Sequence, residues 1–281
     1  MNGNIRSIGE QAPHKFTVYS YSLQGRRDTQ EDQHIAVLNL NGENKNMNNI
    51  NLFGVFDGHG GKKVSHFLKN NLPNFFLSKF EKNIFQKNET FTKYTNEVYN
   101  LLQTNLKEKH PRAVEYCGST ACIGIQSLDK KDKNILWIVN VGDSRAVLCN
   151  KNGEGVQLSV DHKPNLPEEK KRIEQLGGKI TYDGSDWRVK SLSLSRAFGD
   201  LDCCPYVTHL PNIYKYKIDP KDKFLIVACD GLWDSLSNKA AVEFIRDLQF
   251  KNFTGNYAKE LANYGLQKGS YDNITVVIYF F

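Results

Sequence analysis

Asn51-Leu-Phe-Gly-Val-Phe-Asp57-Gly-His-Gly-Gly61 is a short apolar run that ends on a carboxylate and a glycine-rich turn. The same design recurs in Ile135-Leu-Trp-Ile-Val-Asn-Val-Gly-Asp143 and in Phe224-Leu-Ile-Val-Ala-Cys-Asp230-Gly-Leu-Trp-Asp234. A fourth aspartate, Asp272, precedes its run, Asn273-Ile-Thr-Val-Val-Ile-Tyr-Phe-Phe281. Runs of this length, rich in β-branched and aromatic residues and bounded by glycine, read as strands. An ionised carboxylate at the rim of an apolar core is costly unless it is paired or bound to a metal. No Lys or Arg recurs beside the four in the sequence to pair with each one. Converging carboxylates without a Cys or His ligand pattern suit a hard divalent ion, Mg²⁺ or Mn²⁺. Two such ions side by side make a hydrolytic centre for phosphate esters.

Further strands are expected over residues 33–40, 119–126 and 145–149, with a polar, Asn-rich loop over 39–51. A helix is expected over 62–71, stopping before Pro73. Another is expected over 90–108, with Phe91, Tyr94, Val98, Leu101 and Leu102 on one face. Residues 165–178 offer a cap candidate in Asn165, a Pro in the first turn and a Gly stop, so they predict a short helix. Ser237 opens a helix over 238–249, and 257–267 forms one more before the last strand. Strand runs separated by helix pairs argue against regular βαβ alternation. The expected fold is α/β of the α+β type: a central β-sandwich of two mostly antiparallel sheets flanked by α-helices.

The chain has 281 residues and a mild net charge of +6, within the range of one large globular domain. Its longest apolar stretches are too short to span a bilayer, and residues 1–10 lack the apolar core of a signal peptide. A cytosolic or nuclear protein is expected, with no membrane association. The six cysteines (Cys117, Cys122, Cys149, Cys203, Cys204, Cys229) contain no CxxC pair, which predicts free thiols. No arginine-rich tract or aromatic-basic interleaving points to nucleic acid. With no added assembly domain, a monomer is expected.

Several phosphate chemistries are absent. There is no P-loop, and Gly58-His-Gly-Gly61 does not complete G-x-G-x-x-G because Lys63 stands at the last position. No cysteine is followed six residues later by arginine, which excludes a Cys-nucleophile phosphatase loop. Within Asp57-Gly58-His59, Gly58 allows its carbonyl to turn toward a metal. His59, beside it, can donate a proton to a leaving alkoxide. In Arg26-Arg27-Asp28-Thr29-Gln30-Glu31-Asp32 an Arg fork can hold phosphate oxygens, and Glu31 and Asp32 can orient metal-bound waters.

Eight pieces, in order, resemble the metal-dependent protein serine/threonine phosphatases of the PP2C (PPM) family. They are Arg27-x-x-x-Glu31-Asp32, Phe56-Asp57-Gly58-His59-Gly60-Gly61, Gly118-Ser119-Thr120-Ala121, Val141-Gly142-Asp143-Ser144-Arg145, Asp161-His162-Lys163-Pro164, Leu192-x-x-Ser195-Arg196-Ala197-x-Gly199-Asp200, Ala228-Cys229-Asp230-Gly231-Leu232-Trp233-Asp234 and Asp272-Asn273-Ile274-Thr275. The resemblance implies a catalytic domain over 17–281 behind a short extension, 1–16, and leaves no room for a C-terminal regulatory domain.

It further implies that Asp57 bridges two Mn²⁺ or Mg²⁺ ions. Asp230 and Asp272 would complete one ion's protein ligands and the Gly58 carbonyl would serve the other. Glu31, Asp32 and Asp234 would act through waters, and Asp143 with Asp230 would take a weaker third ion. Arg27 would bind phosphate, His59 would be the general acid, and Thr120 would orient an aspartate. The implied substrates are phosphorylated proteins, attacked by a water that the two ions share. A binding-only regulator, or a hydrolase of nucleotides, is the rival reading. One departure stands beside the site: Arg188-Val189-Lys190-Ser191 is a residue shorter than the family's usual Arg-Val-Asn-Gly-Ser and lacks its glycine, which bears on the flap.

Overall fold

The structure is a computed structural model that describes residues 7–11, 14–40, 50–78, 84–85, 87–127 and 135–281. The expected loop over 39–51 lies mostly outside the described residues. In chain order the first elements are β1 (Ser7–Gln11), β2 (His14–Leu23), β3 (Gln33–Val37), β4 (Ile50–Phe56), β5 (Gly58–His59), α1 (Lys63–Ser78) and α2 (Asn88–Lys109). Then come β6 (Gly118–Ser119), β7 (Ala121–Ser127), β8 (Ile135–Val141), β9 (Arg145–Cys149), β10 (Gly155–Gln157) and α3 (Pro167–Gln175). The rest is β11 (Ile180–Tyr182), β12 (Trp187–Val189), β13 (Phe198–Gly199), β14 (Asn212–Lys217), β15 (Phe224–Ala228), α4 (Asp230–Trp233), α5 (Asn238–Phe250), α6 (Tyr257–Gln267) and β16 (Ile274–Phe280).

Two antiparallel sheets carry the fold, in the orders β1-β2-β16-β15-β9-β10 and β14-β8-β7-β4-β3. Their inner faces meet through Val18, Phe53, Val55, Leu136, Ile138, Leu148, Leu225, Val227, Val277 and Tyr279. Phe53 stacks on Tyr279 with ring centroids 4.3 Å apart. Gly124 makes room for it, because a Cβ there would stand 2.4 Å from the Phe53 ring. At the same level Asn51 Nδ2 donates to the Tyr279 hydroxyl at 2.7 Å, so these two buried polar groups satisfy each other.

The outer faces are covered by helices. α1 and α2 close over the second sheet through Val64, Phe67, Leu72, Phe91, Val98 and Leu102. α5 and α6 close over the first through Ala241, Val242, Ile245, Leu261 and Ala262. The inner strands β4, β7, β8, β15 and β16 are therefore buried on two faces, which is why they are mostly apolar rather than alternating runs.

The expected sandwich with outer helices is what the chain forms, and several boundaries move. α1 does not stop before Pro73 but continues to Ser78. The lost hydrogen bond and ring clash cost about 3 kcal/mol. Beyond the proline, Phe76 reaches full burial, worth roughly 1.5–3 kcal/mol, and Phe75 packs partly buried against the same core, which together offset that cost. On α2, Leu101 is 37% exposed and leaves the buried face to Phe91, Tyr94, Val98 and Leu102. Adjacent residues lie about 100° apart on a helix, so Leu101 and Leu102 cannot both point inward. α3 begins with Pro167 at its first position, but Asn165 is not the cap: Leu166 takes that place without a side-chain bond. Ser237 caps α5 as expected, accepting from the Ala240 amide.

Candidate metal centre

Strand register assembles the site. β3 and β4 pair antiparallel with Gln33 opposite Phe56, so Asp32 and Asp57, one residue beyond each, fall side by side. β4 pairs with β7 and β7 with β8, with Val55 opposite Cys122 and Ala121 opposite Val141. Asp57, Thr120 and Asp143 therefore end adjacent strands at one edge. The Thr120 amide donates to the Asp57 carbonyl at 2.9 Å, and the Asp57 amide donates to Thr120 Oγ1 at 3.1 Å. In the facing sheet β15 pairs with β16, Ala228 opposite Val276, which brings Asp230 and Asp272 to the same end of the sandwich.

Three ligand atoms, one each from Asp32, Asp57 and Cys229, lie within 4.8 Å of one another. Asp32 is buried, and its Oδ2 has no hydrogen-bond partner. Burial, then the neighbouring Asp32, Asp230 and Asp143, push the Asp57 carboxyl well above the ordinary range. Burial also raises Asp32 to about 6, and burial with Asp143 and Asp234 raises Asp230 to about 8. Such a cluster is a set of negative charges lacking a counter-charge, the condition a divalent cation relieves. The sulfur does not argue for a soft ion. The Cys229 thiol is pushed far up by burial and by Asp32, Asp57 and Asp230, accepts from the Thr275 amide at 3.1 Å and donates to the Asn273 carbonyl at 3.4 Å. It stays protonated at neutral pH, which leaves an oxygen donor set that fits Mg²⁺ or Mn²⁺.

The remaining carboxylates have partners that the sequence did not disclose. Arg27 Nη2 donates to Asp272 Oδ2 at 2.6 Å across 245 positions of chain, and the Arg27 side chain is 61% exposed. Lys163 Nζ donates to the buried Asp143 Oδ2 at 2.5 Å. The absence of neighbouring cations in sequence thus holds for Asp32 and Asp57 among the described residues, while Asp143 and Asp272 each acquire one through the fold and Lys163 also lies near enough to Asp230 to hold its pKa down. Glu31 lies beside Asp32, where its Oε2 accepts from the Gly61 amide at 2.9 Å. Asp234 is exposed one turn after Asp230 and accepts no ion pair among the described residues. Gly58 has no room for a side chain, since a Cβ would meet the Glu31 carbonyl at 2.4 Å.

His59 is placed by a separate three-stranded sheet, β13-β6-β5. His59 and Gly199 both pair with Gly118 on the middle strand. Asp200 follows directly, in a left-handed conformation with φ 48°, and His59 Nε2 donates to its Oδ2 at 2.7 Å. The pair crosses over Gly118, where a Cβ would sit 2.0 Å from Asp200 Oδ2 and 2.4 Å from His59 Nε2. Burial works against the imidazolium. The hydrogen bond and charge of Asp200, with Asp143 and Asp230, outweigh it and raise the His59 pKa above 6.5. Asp200 and Lys163 are the site residues that sequence reasoning did not single out, although both stand in quoted motifs.

His162 lies apart from the carboxylates' hydrogen bonds: its Nδ1 accepts from the Gly142 amide at 3.1 Å, tying its loop to the end of β8. The shortened segment is absorbed locally. Lys190 takes φ 52°, and Val189 and Leu192 exchange both backbone hydrogen bonds at 3.0 and 3.1 Å, closing a tight turn without the usual glycine.

A sandwich of two antiparallel sheets with a carboxylate cluster at one end defines a class of metal-dependent hydrolases. A sequence model of the family described as Protein phosphatase 2C matches residues 17–274. Bovine "Protein phosphatase 1L" is 37% identical over 265 residues, covering 92% of this chain and 70% of that protein. "Probable protein phosphatase 2C 11" of Arabidopsis thaliana is 40% identical over 272 residues, covering 94% of this chain and 66% of the relative. The crystal structure of a serine-threonine phosphatase 2C from Toxoplasma gondii superposes with a TM-score of 0.83 at 24% identity, covering 99% of this chain and 98% of that one, a likeness of fold. The chain belongs to the protein phosphatase 2C family, the metal-dependent protein serine/threonine phosphatases. Among the described residues no helix is long and apolar enough to cross a membrane.

Proposed function

We propose that this chain hydrolyses phosphoserine and phosphothreonine in proteins, with the cluster around Asp57 as its metal centre. The observation that carries the reading is the convergence of Asp32, Asp57 and Asp230 with raised pKa values and an unpartnered Asp32 oxygen. In this reading Asp57, Asp230, Asp272 and the Gly58 carbonyl would hold Mn²⁺ or Mg²⁺ ions, Glu31, Asp32 and Asp234 would act through waters, and Asp143 with Asp230 would take a weaker third ion. When bound, such ions would lower the pKa of a water and offset charge on the phosphoryl oxygens.

The chain's own groups do the rest. One Arg27 nitrogen rests on Asp272, and the exposed remainder of the fork is offered to the substrate phosphate. A protonated His59 carries a proton on each ring nitrogen; Asp200 holds the one on Nε2. The Nδ1 proton is the one given to the leaving seryl or threonyl oxygen. No covalent phosphoenzyme is needed, in keeping with the absence of a Cys-x₅-Arg loop.

The direct test is phosphate release from a phosphothreonine peptide with Mn²⁺, then with excess EDTA, beside Asp230→Ala and a nucleoside monophosphate. Peptide turnover that needs metal and disappears in the variant is expected. Preference for the nucleotide, or no turnover by folded, metal-supplied protein, sinks the proposal. A second measurement concerns His59. An acid catalyst works below its pKa, and Asp200 holds that pKa up. Asp200→Asn should therefore move the alkaline limb of the rate profile to lower pH. An unmoved limb would remove His59 from the acid role.

A further inference from the structure

The carboxylates of the site divide into two halves by how their charge is balanced. Asp32 and Asp57 form the inner half, and among the described residues no Lys, Arg or His forms an ion pair with either. The outer half is Asp143 with Asp230 and Asp234. Here Lys163 reaches in from the loop between β10 and α3 and sets its Nζ 2.5 Å from Asp143 Oδ2. Asp143 is 3% exposed on its side chain and Lys163 33%, so the pair is largely shielded from water and salt. The ammonium thus stands on the carboxylate that a cation in the outer half would ligate.

We propose that Lys163 is a built-in counter-cation of the outer half, and that it competes with a divalent ion for Asp143. This rests on the metal-centre reading above and deepens it. The ammonium 2.5 Å from Asp143 Oδ2 fills one acceptor direction of that carboxylate and places a positive charge beside any ion the carboxylate would ligate. The two cations repel, and a divalent ion is repelled twice as strongly as a monovalent one would be. Asp32 and Asp57 have no such competitor among the described residues, whereas the outer half is graded by Lys163. Occupancy of the outer position is then a function of divalent concentration, and Lys163 sets the concentration at which it fills. The stem of Lys163 is flexible and the head partly exposed, so the swing outward requires no movement of the strands.

Mn²⁺ binding to the full chain is measured by counting free Mn²⁺ with electron paramagnetic resonance, in parallel with calorimetric titration. Wild type is compared with Lys163→Met, Lys163→Gln and Asp143→Asn. The expected result is tight binding of two ions in all four proteins. A further ion, weak or undetected in wild type, should bind on the order of tenfold more tightly in both lysine variants, and be lost in Asp143→Asn. Two lysine variants are used because Met retains the stem packing and Gln a donor. If the tight ions are present and the further ion binds no better in either lysine variant, Lys163 is not a competitor and the inference falls alone. Weaker binding in both would make Lys163 a support that positions Asp143, which also overturns it. Absence of any tight Mn²⁺ in wild type overturns the metal-centre reading, and this inference with it.

Discussion

Asp57→Asn is expected to abolish turnover while leaving the metal-free protein as stable as wild type or more so. The two effects share one cause. Asp57 ends β4 among Asp32, Asp230 and Asp143, and burial with those three charges pushes its carboxyl far above the ordinary range. With ions present that charge holds the centre together. Losing about 4 kcal/mol of charge stabilisation corresponds to about a thousandfold in rate. Without ions the same charge opposes folding, and an isosteric amide removes it. The sign with pH follows. In the native state Asp32 holds its proton to about pH 6 and Asp230 to about 8, against an ordinary 3.8. The unfolded chain releases those protons earlier, so the contribution of these two carboxyls to apo stability is full below pH 4 and is lost as pH rises toward 8. Melting in EDTA across that window should show a falling wild-type curve and a flatter one for Asp57→Asn. Added Mn²⁺ should raise the wild-type midpoint most at the alkaline end. A variant that melts several degrees below wild type in EDTA would mean that Asp57 is structurally required.

Glu169→Ala is expected to cost about 3–5 kcal/mol of stability, the range for breaking a buried ion pair from one side. Glu169 is buried on α3 and accepts from Arg172 Nη2 at 2.8 Å, Arg196 Nη2 at 2.5 Å and Ser195 Oγ at 2.7 Å. Burial alone would raise its pKa; Arg196, Arg172 and Ser195 reverse that and hold it at about 2. Its stabilisation is therefore present above the ordinary 4.5 and fades as pH falls toward 2. Removing the carboxylate strands two guanidinium groups. It also loosens the segment that runs from Ser195 through β13 to Asp200, and with it the partner of His59. Denaturant unfolding at pH 7 gives the loss, and a loss under 1 kcal/mol would show that water replaces the carboxylate at little cost. The expected companion is a rate defect larger in kcat than in KM, since the affected atoms lie on the proton-donor side.

Legibility of the chain differed by element, for local reasons. The core strands were readable because they are buried on both faces and stay apolar throughout. β14 and the β11–β12 hairpin were not, since they are half-exposed and mix Lys, Tyr and Thr with few apolar positions. α1 was cut short because the proline rule is local, whereas Leu72 and Phe76 pack on a sheet the rule does not see. The aspartates were legible one by one, as carboxylates at strand ends. Their partners were not: Arg27 and Asp272 are 245 positions apart, His59 and Asp200 are 141 apart.

By itself the sequence determined the core strands, the antiparallel sandwich and the chemical type of the centre. Each of those follows from burial period and from the expense of a charge at an apolar rim, and both are written in neighbouring residues. Tertiary structure alone decided which charges meet. Register sets Asp32 against Asp57, the small β13-β6-β5 sheet sets Asp200 against His59, and a loop swings Lys163 onto Asp143. Electrostatic energy depends on distance in space, and a fold makes that distance independent of distance along the chain.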